Sequence, residues 1–351
     1  MAKENVCIGL DVGFGDVKVV ACLSVKQEGQ GPTGTRRVKF PAAIAYARKG
    51  IIGDLGEEGG NTRYLYNGRE FVVGTDALCS PDVFSTRDIG FLLSYAPLLA
   101  YVAVDEVSPD GLPEKGMELC VGMPLAYFHT KRAELTGALG DVRVSGRTIS
   151  FNSVDVRAQG QGILFDFVLD DEGRPRIDRL DLNLLVLDIG FNTVDVLGVV
   201  GGRPSREWSD MIERGGISRI CEQLGYYLKG EHGFDLSEQS LKDVLQRQEI
   251  KLYGAKKDLS GPIRSLCEEY TEWLLAEVRS RWEGFLRNAD GLIVAGGGAY
   301  YVGEFFRDRY PGSFVHVPDE PEYANARGFY KYLRGKTNDG SEVQEDGDQA
   351  A

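Results

Sequence analysis

The sequence predicts an α/β protein made of two related domains, each a mixed sheet flanked by helices. Three observations lead there. A strand–turn–strand phrase occurs twice, as Ile8-Gly9-Leu10-Asp11-Val12-Gly13-Phe14-Gly15-Asp16-Val17-Lys18-Val19-Val20 and as Leu185-Val186-Leu187-Asp188-Ile189-Gly190-Phe191-Asn192-Thr193-Val194-Asp195-Val196-Leu197. At an offset of 177 residues Asp11 meets Asp188, Gly13 meets Gly190 and Phe14 meets Phe191, with apolar residues on both flanks. Strands followed by helices recur in each half of the chain, and 351 residues with 42% hydrophobic and 26% charged content suit two domains of ordinary size. A β-hairpin whose turn exposes backbone N–H groups is suited to cradling phosphate. Two such hairpins, half a chain apart, point to one nucleotide gripped from opposite sides, in a cleft between the domains. The alternative, two unrelated Asp-and-Gly turns, does not explain a match that extends beyond those residues.

The elements follow in order. The first hairpin covers about 5–25, and 26–37 is a polar, Gly-rich turn. Residues 38–46 read as a strand broken at Pro41, and 53–62 as a second loop. Tyr64, Tyr66, Phe71 and Val73 alternate around Asn67-Gly68, which predicts a hairpin. Residues 88–104 read as a helix, 117–123 as a buried strand stopped by Pro124, and 126–137 as a helix. A hairpin turning at Ser145-Gly146 spans 141–151, with a strand at 153–157. The second hairpin opens the second domain near Leu182. Helices are expected at 212–228, 236–246 and 260–288. The last has Ile263, Leu266, Tyr270, Trp273, Leu274, Val278, Trp282 and Phe285 at three- and four-residue steps, with Pro262 in its first turn. A strand at 291–295, a turn at Gly296-Gly297-Gly298 and helices at 299–307 and 322–333 complete the second domain. The expected boundaries are 1–181 for the first domain, with a smaller subdomain at about 38–90, 182–334 for the second, and 335–351 for a disordered acidic tail.

Composition removes several classes of function. Net charge is −13, which disfavours direct binding of nucleic acid through a basic face but leaves room for a basic adaptor protein. No apolar run reaches the roughly 18 residues of a membrane span, since Ser94, Tyr95 and Pro97 interrupt 91–104, and no signal-peptide pattern opens the chain. Six scattered cysteines and three histidines form no metal-binding spacing, so the thiols read as small core residues of a reducing cytoplasm.

Four segments carry the expected chemistry. Asp11, where the first strand emerges, can hold the water shell of Mg²⁺, which takes one or two carboxylates plus waters and phosphate oxygens. Gly13, Phe14, Gly15 and Asp16 form the turn, and Lys18 on the return strand can reach a β- or γ-phosphate; alone, Lys18 would read as a solvated strand lysine. Asp188 with Gly190, Asn192 and Thr193 is the matching set, able to orient Mg²⁺-bound water or polarise an attacking one. Asp195 stands where Lys18 stands, so the two hairpins divide the work. Gly296, Gly297, Gly298 and Ala299 let backbone approach a flat or charged ligand, and Gly215 and Gly216 before a helix are a further contact.

These segments, in this order, resemble the nucleotide site of the actin, heat-shock-70 chaperone and sugar-kinase superfamily. The hairpins are similar to its two phosphate motifs, and 292–299 to its adenosine motif. Val121-Gly122-Met123-Pro124-Leu125 and Pro321-Glu322-Tyr323-Ala324-Asn325-Ala326-Arg327-Gly328-Phe329 resemble the prokaryotic actin-like ATPases of the ParM type, which segregate plasmids. The resemblance implies an actin-like fold, ATP/ADP and Mg²⁺ as cofactors, and metal contacts of Asp11 and Asp188 through water. It also gives Gln159, in Val156-Arg157-Ala158-Gln159, the role of aligning the attacking water; Ala158 stands where the family often has proline. An amide is a poor base but can align water, which suits slow, assembly-stimulated hydrolysis. The leading expectation is a cytoplasmic filament-forming ATPase for DNA segregation or intracellular organisation. Its partners would be further copies of itself and a DNA-binding adaptor, with no membrane. A sugar or metabolite kinase, or a chaperone-like reactivating ATPase, is the alternative.

Overall fold

The computed structural model describes residues 6–22, 35–47, 62–80, 82–84, 88–108, 116–310 and 312–348, with side chains described as far as 337. Most of the expected loops at 26–37 and 53–62 lies outside these residues. The chain divides into two units, Met1–Asp178 with Tyr323–Ala351, and Arg179–Glu322.

The first unit is built on β1 (Val6–Val12), β2 (Asp16–Ala21), β3 (Arg36–Pro41), β7 (Met117–Met123), β8 (Asp141–Val144) and β9 (Arg147–Ala158). They form one mixed sheet in the order β3-β2-β1-β7-β9-β8. β1 and β2 are antiparallel, and β1 and β7 are parallel. Strand alternation is lost in β1 because both faces are covered: only Val6 is part-exposed, and the rest of the strand is buried. β4 (Ile44–Tyr46), β5 (Tyr64–Tyr66) and β6 (Arg69–Val73) make a separate small sheet followed by α1 (Thr75–Leu78), within the expected 38–90 subdomain. Asn67 and Gly68 both have positive φ, 48° and 75°, as a tight hairpin turn demands.

The helix α2 (Ile89–Val107) starts at Asp88, whose carboxylate accepts from the Gly90 N–H at 3.0 Å. Among the described residues it is the one helix long and apolar enough to cross a membrane by length and composition. Leu92, Leu98, Leu99, Tyr101, Val102 and Val104 are instead buried in the first unit's core, against Ile8, Leu10, Val17 and Val19 of the sheet. α3 (Leu125–Leu139) and α4 (Gln161–Val168) complete the part of this unit that precedes Asp178.

The second unit repeats the plan. β10 (Leu184–Ile189), β11 (Val194–Val200), β12 (Arg203–Ile212), β15 (Gly291–Ala295) and β16 (Val315–His316) form a sheet in the order β12-β11-β10-β15-β16. β10 is antiparallel to β11 and parallel to β15, as β1 is to β2 and β7. α5 (Ser218–His232), α6 (Glu238–Arg247), the hairpin of β13 (Glu249–Leu252) and β14 (Ala255–Asp258), α7 (Ser260–Leu286) and α8 (Ala299–Arg309) supply the rest. The apolar stripe of α7 is buried from Ile263 to Leu286, except at Leu266 and Trp273, which are half-buried. The helix expected at 212–228 starts later: Ile212 pairs with Val194 as the last residue of β12, and Gly215-Gly216 separates that strand from α5.

The last helix, α9 (Ala324–Asp348), corrects two expectations. It belongs to the first unit rather than the second. Ala326, Phe329, Tyr330 and Leu333 pack with Cys7, Val20 and Cys120 on the first sheet, and a Cβ on Gly9 would meet Tyr330 N at 2.5 Å. It also runs past 334, where a disordered tail was expected. Lys336 Nζ pairs with Asp155 at 3.0 Å, and the Thr337 hydroxyl donates to the Leu333 carbonyl at 2.7 Å. These contacts carry the helix beyond Gly335, and its backbone continues to Asp348.

Four of the six cysteines are buried, Cys22 is half-buried and Cys79 is exposed. Burial pushes the Cys267 thiol up to about 11 and the Cys221 thiol up to about 12, and raises Cys7 and Cys120 as well. Raised values leave these groups as thiols rather than nucleophilic thiolates near neutrality. At pH 8 the native protein is expected to show one fast-reacting thiol toward a chromogenic disulfide reagent, abolished in Cys79→Ser. Rapid modification of all six would contradict the buried placement.

Candidate functional site

The first hairpin sets Asp11 directly opposite Lys18 in the antiparallel register, and the second sets Asp188 opposite Asp195. The turns are closed by the same hydrogen bond. Gly13 N–H donates to Asp16 O at 3.2 Å, and Gly190 N–H donates to Thr193 O at 3.0 Å, again 177 residues apart. The repeat seen in the sequence therefore extends to register and turn geometry, and the two hairpins differ in the charge opposite the aspartate.

In the first unit the site residues converge on Asp11, which is buried at 4% exposure. Lys18 Nζ lies 3.5 Å from Asp11 Oδ2. Gln159 Nε2 donates to Asp11 Oδ1 at 2.7 Å, a buried bond between residues 148 apart in sequence. Gln159 is also held by its own N–H, which donates to Met123 O at 2.8 Å. Gly122, paired with Asp11 across β1 and β7, is the floor of this corner. A Cβ there would meet Phe329 at 2.9 Å and Asp11 Oδ1 and Gln159 Cγ at 3.3 Å, so only glycine leaves the carboxylate and amide in place. Gly13, Phe14, Gly15 and Asp16 lie half-buried in the turn, and a Cβ on Gly13 would come within 3.4 Å of Lys18 Nζ.

In the second unit Asp188 is half-buried at the end of β10, and Asp195 beside it is buried. The triple glycine passes directly over Asp188. A Cβ on Gly296 would stand 2.5 Å from Asp188 Oδ1 and 2.6 Å from Ile189 O, and one on Gly298 would overlap the Ile189 side chain. Gly298 N–H donates to Ile189 O at 2.8 Å, and Gly296 N–H to Pro321 O at 3.0 Å. Gly297 faces open space, and Ala299 begins α8.

Gly215 and Gly216, expected as ligand contacts, open the segment that ties back to the second hairpin's turn. Gly216, Ile217 and Ser218 donate their N–H groups to the carbonyls of Asn192, Gly190 and Phe191 at 3.1, 3.1 and 2.8 Å. Those three N–H groups are therefore committed to the turn. The bracing loop is itself pinned by Tyr270 of α7, whose hydroxyl donates to Gly215 O at 2.6 Å and whose pKa burial raises. Next to it, Arg219 stacks over Trp273 at 3.9 Å from the ring centre. Among the described residues no group of three or more His, Cys, Asp or Glu is placed to hold a metal ion.

Comparison with known proteins identifies the family and the fold. Residues 9–162 match the family described as actin like proteins N terminal domain. Residues 186–308 match the family described as archaeal actin homologue MreB-like, C-terminal. The chain belongs to the actin-like superfamily.

Its relatives include an archaeal actin homolog of Thermoplasma volcanium, 28% identical over 349 residues, a match covering 92% of this chain and 97% of that protein. A second, from Thermoplasma acidophilum, is 26% identical over 351 residues with the same coverage. Among solved structures, a 15-stranded ParM filament from Clostridium botulinum is similar with a TM-score of 0.71 at 19% identity, covering 95% of this chain and all of that one. An archaeal actin homolog in complex with ADP gives a TM-score of 0.72 at 22% identity, covering 93% of this chain and 99% of that chain. These likenesses establish the actin-like fold.

Gly122 as the floor of the Asp11 corner and Tyr270 as a brace were not expected from the sequence of this actin-like chain. Gly122 lay in the Val121–Leu125 segment, visible only as a resemblance. Tyr270 lay on the apolar stripe of α7, where an aromatic reads as core.

Proposed function

We propose that this chain is an ATPase that assembles into filaments with Mg-ATP. The observation that carries the reading is the matched pair of hairpins, with one turn hydrogen bond, one register, and Lys18 in one where Asp195 stands in the other. A lysine on the return strand of one hairpin suits phosphate, and the carboxylates of Asp11 and Asp188 suit a hydrated divalent cation. The donors fit magnesium: they are carboxylate oxygens, hard ligands, and Mg²⁺ needs one or two of them with water and phosphate for the rest. When bound, magnesium neutralises charge on the phosphate oxygens.

The chain's own residues then have distinct tasks. Lys18 offers its ammonium to a β- or γ-phosphate oxygen. Asp188, overlaid by the triple glycine, orients water. Gln159 spends its Nε2 donor on Asp11, which fixes the amide plane and presents Oε1 as the acceptor that aligns an attacking water. No strong base is present in this set, which suits slow hydrolysis stimulated by assembly.

Filament formation is supported by the fold shared with a ParM filament. Head-to-tail contacts that do not close a ring generate helical polymers. A net charge of −13 supports a reading in which any DNA cargo is reached through a basic adaptor, in a cytoplasmic segregation or organising role. With Mg-ATP the protein is expected to scatter light and pellet above a critical concentration, with phosphate release lagging assembly. A flat trace across tens of micromolar, together with turnover that needs an added sugar, would replace this reading with a metabolite kinase.

A further inference from the structure

The segment Asn325-Ala326-Arg327-Gly328-Phe329 entered as a resemblance, yet each of its non-alanine residues reaches the Asp11 corner or the helix that leads from it. Phe329 packs beneath Gly122. Gly328 lies so close to α4 that a Cβ would overlap the Gly162 carbonyl. Arg327 forks onto Asp166 of α4, at 2.8 and 2.5 Å. Asn325, buried at 4% exposure, accepts on Oδ1 from the Gly160 N–H at 3.0 Å.

Gly160 is the residue between Gln159 and α4. It has φ of +86° and makes no side-chain cap bond of its own to α4. The helix starts without a local cap, and the group that serves that turn comes from α9. Close backbone approach makes the reach possible: a Cβ on Gly162 would be 2.5 Å from the Asn325 carbonyl, so an oxygen three bonds from the Asn325 Cα reaches the Gly160 N–H. The N–H of Gly160 is a donor, so the oxygen of the Asn325 amide must face it.

We propose that Asn325 is the positioning residue for Gln159, and through it for the attacking water; this rests on the ATPase reading above. Gln159 is held at three points: its N–H on Met123, its amide on Asp11, and the next peptide on Asn325. The first two fix where the residue starts and where it ends. The third fixes the peptide plane that follows, and with it the direction from which the side chain approaches Asp11. Releasing Gly160 lets that plane rotate, and Gln159 loses its aim while the phosphate hairpins stay as they are.

The test has two readouts. In nucleotide-free full-length protein, Asn325→Ala is expected to raise amide hydrogen exchange at Gly160 by about tenfold or more, with the turns at Gly13 and Gly190 unchanged. Asn325→Asp keeps an acceptor oxygen and is expected to restore protection. Asn325→Ser, whose hydroxyl falls one bond short, is expected to behave like alanine and serves if the alanine variant misfolds. In the Mg-ATP-loaded protein, Asn325→Ala is expected to lower turnover about tenfold with nucleotide affinity unchanged. It should lower it no further in a Gln159→Ala background.

Unchanged exchange at Gly160 would overturn the contact itself. Full additivity with Gln159→Ala would overturn the positioning role, because a merely structural defect costs the same in both backgrounds. If Gln159→Ala alone leaves turnover intact, the hydrolytic role of Gln159 fails and the positioning role fails with it. The exchange result reports the contact to Gly160 whichever way turnover goes.

Discussion

Asp188→Ala is expected to reduce phosphate release about 100-fold or more while changing nucleotide affinity less than tenfold. The asymmetry follows from where Asp188 sits. Its backbone is fixed on one side by β11 and on the other by β15, pairing with Asp195 and Ala295. Its carboxylate lies under Gly296, and the neighbouring Ile189 accepts from Gly298. Removing the carboxylate leaves the turn hydrogen bond from Gly190 to Thr193 in place, so the proposed phosphate cradle is expected to survive. What is lost, on the proposed reading, is the group that orients water. Asp188→Asn, which keeps shape and loses charge, should fall between wild type and alanine. Single-turnover phosphate release and equilibrium titration with a fluorescent nucleotide measure the two quantities separately. Equal losses in both would remove Asp188 from the hydrolytic step and make it a binding residue only.

The second large effect is on stability. Asp166→Ala is expected to destabilise the protein by about 3 kcal/mol in urea unfolding, at the low end of what breaking a buried ion pair costs. Asp166 is 6% exposed, and two cations converge on it: Arg327 through a forked contact and Lys331 Nζ at 3.0 Å. Lys331 is itself only 7% exposed, so deleting the carboxylate strands an ammonium in the interior. Two things moderate the loss. Lys331 keeps Asp171 at 3.2 Å, a solvent-exposed carboxylate of little worth, and its Nζ lies 3.5 Å from the Leu169 carbonyl. Arg327, at 16% exposure, can turn its guanidinium toward water. Adding Lys331→Met should recover part of the loss, because it removes the stranded charge. A change within about 0.5 kcal/mol for the single variant would mean that the ion pair adds nothing to the packing of α4 against α9.

Much of the architecture was written locally. Strand 117–123 appears with the expected ends because it is an apolar run stopped by Pro124. The turns at Asn67-Gly68 and Ser145-Gly146 form because those pairs tolerate positive φ, which all four residues adopt. The hairpins were legible because duplication printed the same phrase twice. What was missed depends on distant partners. Strand β12 has a mostly polar sequence whose exposure does not alternate, and only pairing with β11 makes it a strand. The sequence offered Gly215-Gly216 as a ligand loop but did not announce that the Gly216 N–H is spent on the Asn192 carbonyl of the neighbouring turn. The placement of α9 with the first unit is set by burial of Phe329 and Leu333 against residues more than three hundred positions earlier, which no local pattern announces.

That placement has a consequence for how the molecule is made. The second unit is one continuous stretch, Arg179–Glu322, and has all its strands in hand once it is synthesised. The first unit is interrupted by it, and Gly160 must wait 165 residues for Asn325. During synthesis the later unit can therefore mature before the earlier one. The nascent chain carries a complete Asp188 hairpin while its Asp11 corner is still open beneath Gly122 and Gln159. The two halves of a duplicated fold can thus reach working order in the reverse of their order in the gene.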